Sequence, residues 1–179
     1  MRPQGKSLFL GGRGDAPGGD MKLSMMKGFS FGLTSGIITT LGLIIGLHSS
    51  THSPLAVISG ILVIAISDAL SDAFGIHMSE ESEDEHTNRE IWEATAATFL
   101  SKFIFASTFI APVLLLPLQM AIVASAAWGL SLIAVLSFHL ARRQGARPHR
   151  VMAEHLAITL FVILMAHEIG DWIATLGLG

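Results

Sequence analysis

Five long apolar runs constrain this chain more than any other feature of its sequence. Each is nearly free of charge and about 20 residues or longer, which is the length a helix needs to cross the hydrocarbon core of a bilayer. Only 14% of the residues are charged, against about 25% in soluble domains. We therefore predict an all-α integral membrane protein with five transmembrane helices. The runs cover residues 28–47, 54–76, 91–118, 119–140 and 151–176.

The basic residues predict how these helices are oriented. Five Lys or Arg residues precede the first run and four Arg residues follow the fourth, whereas the segments after the first and third runs carry none. Because basic loops stay in the cytoplasm, we expect a cytoplasmic N-terminus and a C-terminus outside. Residues 1–27 are polar and Gly-rich, which predicts a disordered cytoplasmic tail. Residues 28–179 form the predicted five-helix transmembrane domain.

The composition and the motifs exclude several functional classes. The chain has no cysteine, which excludes disulfides and thiolate metal sites. It lacks a basic surface, so nucleic acid is not an expected partner. The sequence HEIGD at residues 167–171 matches half of a zinc-protease motif, but the second histidine is missing. Without a complete catalytic set, we expect neither an enzyme nor a resident cofactor.

Two carboxylates inside the second run are its most informative residues. Asp68 and Asp72 lie one helical turn apart on one face, and each costs about 2.5–3.5 kcal/mol to insert at the centre of a membrane helix. Such a pair can hold one divalent cation or share one proton, which metal binding would expel. Oxygen ligands favour Mn²⁺, Fe²⁺ or Mg²⁺ over Cu⁺. The pair predicts a cation path, and Ser35, Met78, water or a second copy of the chain would complete the ligand set.

Lys102 in the third run supports a different interpretation. It lies about eleven residues, or roughly 16 Å, from the cytoplasmic end of its run. Counted from the other side, Asp68 and Asp72 reach about 21 and 27 Å, so all three lie toward the cytoplasmic half of a core about 30 Å thick. An Asp68–Lys102 or Asp72–Lys102 pair would then serve only to fix helix packing. Alternatively, Lys102 extends to the membrane interface.

An acidic segment follows the second run. It is interpreted either as a solvated helix end or as a funnel that raises the cation concentration at the mouth of the path. Its glutamates are Glu80, Glu81, Glu83 and Glu85.

Glycines in the first run form a strip on one face of the predicted helix. At about 100° per residue they fall within one third of its circumference, together with Ser35 and Thr39. Such a strip lets another backbone come close. It serves either helix packing alone or packing and the lining of a path. The glycines are Gly28, Gly32, Gly36, Gly42 and Gly46.

Two motifs resemble those of a known family. The sequence SGIITTLGLIIG at residues 35–46 resembles DGLVSTLGLVVG, the first-span signature of the vacuolar iron transporter family. The sequence LSDAFGIHMS at residues 70–79 resembles LSMAAGEYLS of the second span. Five spans, a cytoplasmic N-terminus and two prolines in the third span also fit. The resemblance covers residue 28 to the end, without the glutamate-rich insertion that many eukaryotic members carry between spans two and three.

The resemblance implies a homodimer that exports Fe²⁺ or Mn²⁺ from the cytoplasm in exchange for protons. Ser35 replaces the family's first-span aspartate, Asp72 its second-span methionine and Ile76 its glutamate, so the carboxylate pair is displaced one turn deeper. The dimer is predicted through the first-span glycine face. The membrane is expected to be the plasma membrane in a prokaryote and a vacuolar-type membrane in a eukaryote. The predicted metal ligands are Asp68, Asp72, Ser35, Met78, Glu81 and Glu85.

Overall fold

The computed structural model describes residues 17–83 and 86–177, and nearly all of this part of the chain is helical. It contains seven α-helices and one π-helical turn, and these described ranges hold no strand. The elements are α1 (Pro17–Thr51), α2 (Pro54–Val63), the π-helical turn (Ile64–Asp68), α3 (Ala69–Glu81), α4 (Asn88–Thr108), α5 (Ile110–Leu115), α6 (Leu118–Arg143) and α7 (Pro148–Thr175).

These elements form five spans that fit an integral membrane protein. Helix α2, the π-helical turn and α3 make one rod, and α4 with α5 makes another. The five spans run for 26 to 29 residues each and are apolar enough to cross a membrane. The structure confirms the prediction of an all-α fold, over the described residues, with five helices long and apolar enough to span a membrane. Span three breaks near Phe109 because Pro112, three residues on, cannot donate a backbone hydrogen bond to the preceding turn.

The first helix begins well before the predicted start of the first span at Gly28. Helix α1 starts at Pro17, so the second part of the predicted tail, residues 17–27, is helical. Met, Leu and Lys are strong helix formers and are frequent in residues 21–27, which explains the extension. The first part of the predicted tail, residues 1–16, lies outside the described residues.

Helix α1 is the centre of the molecule, because it packs against α2, α4, α6 and α7. From Leu33 onward, apolar residues on one side of α1 are almost completely buried and contact buried residues of the surrounding spans. Nearer its start, apolar residues such as Phe29 and Phe31 are exposed. This core holds α1 on the axis of the bundle. Its members are Leu33, Ile37, Leu41, Ile44, Val57, Ile61, Phe109, Val113, Ala121 and Ile133.

The glycine strip of α1 packs against helices of the same chain. A side chain at Gly28 would collide with the backbone carbonyl of Ala94 in α4, and one at Gly32 would collide with that of Thr98. Farther along, the nearest atom to a side chain at Gly46 would be in α7. The predicted dimer surface on this face is therefore wrong, because α4 and α7 already occupy it. The existence of a homodimer stays a prediction.

We expect Gly32→Ala to lower the free energy of unfolding by about 1–3 kcal/mol, because the added methyl forces α4 away from α1. The matched control is Gly46→Ala in the same helix, where the nearest neighbouring atom would be 3.4 Å from the new carbon. That control should be neutral or slightly stabilising, since Ala favours helix over Gly by about 1 kcal/mol. Unfolding of the purified protein in detergent measures both, and equal losses would contradict the packing described here.

Candidate functional site

A π-helical turn in the second span ends at Asp68. The N–H of Ala69 bonds to the carbonyl of Ile64, five residues earlier, whereas an α-helix uses the carbonyl four residues earlier. The extra residue rotates the face that α3 presents relative to the face of α2. Such turns inside α-helices are frequent at functional sites. Asp68 lies at this turn and Asp72 lies one helical turn after it.

Lys102 of α4 binds both aspartates. Its side chain is fully buried, and its Nζ lies 2.5 Å from an oxygen of Asp68 and 2.5 Å from an oxygen of Asp72. The same ammonium donates a hydrogen bond of 3.0 Å to the hydroxyl of Ser35 in α1. Three spans thus meet at one positive charge. Both pairings that the sequence allowed occur together, and Lys102 does not extend to the surface.

Small residues of α1 make room for this lysine. A side chain at Gly36 would stand 3.1 Å from Cγ of Lys102, so the glycine leaves space for the aliphatic stem. The neighbouring Ser35 donates its hydroxyl proton to Asp72 at 2.6 Å and accepts from Lys102. The glycine strip therefore positions the charged site as well as the helices.

The cluster carries more negative than positive charge. With all groups ionised, two carboxylates face one ammonium. Nζ of Lys102 lies close to Oδ2 of Asp68, but not in the direction of a hydrogen bond. This buried oxygen therefore has no hydrogen-bond donor among the described residues. The aspartates are also partly accessible, with 36% of the Asp68 side chain and 20% of the Asp72 side chain exposed. The site therefore has spare capacity for a proton or a cation.

The structure brings together only some of the predicted metal ligands. Ser35, Asp68 and Asp72 meet at the Lys102 ammonium, but Met78 is 51% exposed and belongs to no such cluster. Six residues separate it from Asp72, which places it about 9 Å farther along the rod and on another face. Glu81 is exposed at the end of α3. Met78 is thus placed away from the aspartates that it was predicted to assist. Glu81, predicted as part of the acidic funnel, belongs to no group of metal-ligating side chains among the described residues, and Glu85 lies outside those residues.

Polar residues also meet at the other end of the bundle. The hydroxyl of Ser49 lies 2.5 Å from Nδ1 of His167, and Nε2 of that histidine lies 3.6 Å from Asp171. The serine is only 4% exposed, so a substrate could not reach it in this arrangement. These contacts tie the end of α1 to α7.

Sequence reasoning missed the burial of Glu80. This residue is 4% exposed although it lies in the acidic segment that the sequence treats as solvent-accessible. Its carboxylate accepts a hydrogen bond of 3.4 Å from Lys27 of α1. The helical spacing of Glu80 from Asp72, two turns away, was the only available signal, and it does not reveal burial.

Comparisons with protein-family models, curated proteins and solved structures found no match to this chain. The likeness to the vacuolar iron transporter family therefore rests on the two sequence motifs.

We expect strong energetic coupling between Asp72 and Lys102. Removing Lys102 leaves two carboxylates without a counter-charge, which costs about 3–5 kcal/mol. Removing Asp72 should cost less, because Lys102 keeps Asp68 as its partner. A double-mutant cycle of Asp72→Asn and Lys102→Met should give a coupling of about 1–3 kcal/mol in unfolding experiments. The control cycle uses the exposed pair Arg150 and Glu154, which are 2.9 Å apart and should couple by about 0.5 kcal/mol or less. Additive effects at Asp72 and Lys102 would contradict the ion pair.

Proposed function

We propose that the protein is an integral membrane transporter that exports a divalent transition metal, Fe²⁺ or Mn²⁺, from the cytoplasm in exchange for protons. The observation that carries the proposal is the cation-binding geometry at Lys102. Inside the bundle, oxygens of Asp68, Asp72 and Ser35 surround one positive charge at 2.5–3.0 Å. The ammonium of Lys102 takes the position of the transported cation when no metal is bound.

Metal binding must displace this ammonium. A divalent metal bound by oxygens at about 2.0–2.6 Å needs the same carboxylates, and two positive centres repel strongly in a medium of low dielectric constant. With the ammonium displaced, two carboxylates and one divalent metal balance in charge. Exchange requires in addition that the site give up a proton as the metal binds, which is how metal binding couples to proton release. Lys102 thereby becomes part of the transport site.

The partial exposure of the aspartates supports a second copy of the chain beside span two. A carboxylate facing lipid is costly, so water or protein should cover Asp68 and Asp72. A stripe of small, exposed residues at four-residue spacing runs beside them, and a side chain at Gly75 would meet nothing within 4 Å. Two such stripes allow close approach of the backbones, so the homodimer is proposed here instead of at the α1 glycines. The stripe consists of Ser67, Ser71, Gly75 and Ser79.

The orientation follows from the distribution of basic residues. Lys27 of α1 contacts Glu80 at the end of α3, and Arg143 at the end of α6 contacts Met26. The basic N-terminal segment and the basic loop after α6 therefore share one end of the bundle, which supports placing both in the cytoplasm. The C-terminus would lie outside. The membrane would be the plasma membrane of a prokaryote or a vacuolar-type membrane of a eukaryote.

A second candidate function is a membrane assembly protein that transports nothing. The full burial of Lys102 favours it, because a buried, paired ammonium also fixes the packing of three spans. In that case Asp72→Asn would destabilise the protein, and metal ions would not stabilise it. Metal-dependent stability of the wild type therefore separates the two functions.

We expect Asp72→Asn to reduce Mn²⁺ or Fe²⁺ flux into proteoliposomes to the level of empty liposomes, because the metal loses a charged ligand. Glu154→Gln is the control, since Glu154 is exposed and pairs with Arg150 in α7, away from the site. This control should transport like the wild type. Unchanged flux in a folded Asp72→Asn protein would exclude the transport mechanism.

We expect single cysteines at Ser71 and Gly75 to form disulfides between two copies in the membrane. The chain has no native cysteine, and a disulfide requires Cα atoms within about 7 Å, so cross-linking reports only the introduced site. Val123→Cys is the control, because Val123 is 70% exposed on α6. Cross-linking at Val123 without cross-linking at Ser71 or Gly75 would move the dimer to another face.

A further inference from the structure

Three metal-ligating side chains meet where span two ends. Glu80 lies in the last turn of α3, Glu83 lies two residues beyond the end of that helix, and His86 lies just before α4. One ligand atom from each residue lies within 4.8 Å of the other two. Nε2 of His86 is 3.2 Å from an oxygen of Glu83 and 3.4 Å from Oε2 of Glu80. This cluster is separate from the Lys102 site.

The buried carboxylate of Glu80 leaves one oxygen unsatisfied. Its side chain is 6% exposed, and Oε2 receives no hydrogen bond from the described residues. This oxygen faces His86, while Oε1 accepts from Lys27. A buried carboxylate oxygen without a donor costs free energy, and a bound cation would remove that cost.

The separations suit a metal of the first transition series. Such metals bind imidazole nitrogen and carboxylate oxygen at about 2.0–2.2 Å, so neighbouring ligand atoms lie roughly 3.0–3.5 Å apart. The two measured separations, 3.2 and 3.4 Å, fall in this range. An imidazole ligand also favours transition metals over Mg²⁺ and Ca²⁺.

The ends of α3 and α4 lie beside the cluster, and the partly exposed side chain of Lys27 contacts its two glutamates. His86 directly precedes Thr87, whose N–H bonds to Glu90 at 2.8 Å in the capping box of α4. Lys27 lies 3.4 Å from Glu80 and 3.9 Å from Glu83, with 43% of its side chain exposed. Its ammonium can turn into solvent when a metal binds the carboxylates.

We propose that Glu80, Glu83 and His86 form a binding site for one divalent transition metal at the end of span two. The site is eight residues from Asp72 along α3, or about 12 Å. Its use as a loading site for the membrane path rests on the proposed transport function. Metal binding at Glu80, Glu83 and His86 does not depend on that function.

The test titrates Co²⁺ into the purified full-length protein in detergent, using calorimetry and the visible absorption of the metal. His86→Gln and Glu83→Gln should each weaken binding by about tenfold or more, and His86→Gln should also change the Co²⁺ spectrum. Glu81→Gln is the matched control, because Glu81 is an exposed neighbour outside the cluster. It should change binding by less than about twofold. Thermal unfolding without metal checks that each variant is folded.

Three outcomes would overturn this site: no Co²⁺ binding by the wild type, a spectrum that is the same in His86→Gln, or equal losses in Glu81→Gln and Glu83→Gln. The last would indicate diffuse attraction by acidic residues. The Asp72→Asn protein should keep the histidine-dependent spectrum, and its loss there would also contradict a separate site. Flux in Asp72→Asn liposomes tests transport independently, so failure of one proposal is distinguishable from failure of the other.

Discussion

The buried ammonium of Lys102 is the constraint on which the arrangement of three spans depends. It binds Asp68 and Asp72 of span two and Ser35 of α1 while its own backbone belongs to α4. In a medium of low dielectric constant, an ammonium without any carboxylate partner would be very costly. The spacing of α1, span two and α4 is therefore tied to ion-pair distances, and the glycines of α1 permit that spacing because they remove the side chains that would keep the helices apart.

Much of this arrangement follows from the sequence. The apolar runs give the number and approximate length of the spans, because a helix must satisfy its own backbone in lipid. Counting residues from the ends of the runs places Lys102 near the middle of the core and Asp68 and Asp72 nearer its cytoplasmic edge, within reach of a long lysine side chain. This reasoning identified their pairing as one of two interpretations. Each residue adds a fixed rise of about 1.5 Å along a helix, so the depth of a residue in the membrane can be calculated from the sequence alone.

Other features depend on information that residue spacing does not contain. The strip containing Gly32 shows that some backbone comes close to α1, but not whether it belongs to the same chain. Glu80 is buried because α1 begins before Gly28, and this N-terminal extension places Lys27 beside the Glu80 carboxylate. The wide turn at Asp68 depends on packing around span two, since its sequence, IAISD, is compatible with an ordinary α-helix. Tertiary contacts decide all three.

The wide turn gives span two a way to redirect one carboxylate without tilting. Each backbone N–H in this turn bonds to the carbonyl five residues earlier, not four. Shifting the turn by one position along span two would therefore exchange only a few backbone hydrogen bonds and reorient only the residues within it. Asp68 lies within the turn and Asp72 lies beyond it. The two carboxylates that bind Lys102 thus lie on different backbones: Asp72 on a regular α-helix and Asp68 on a π-helical turn.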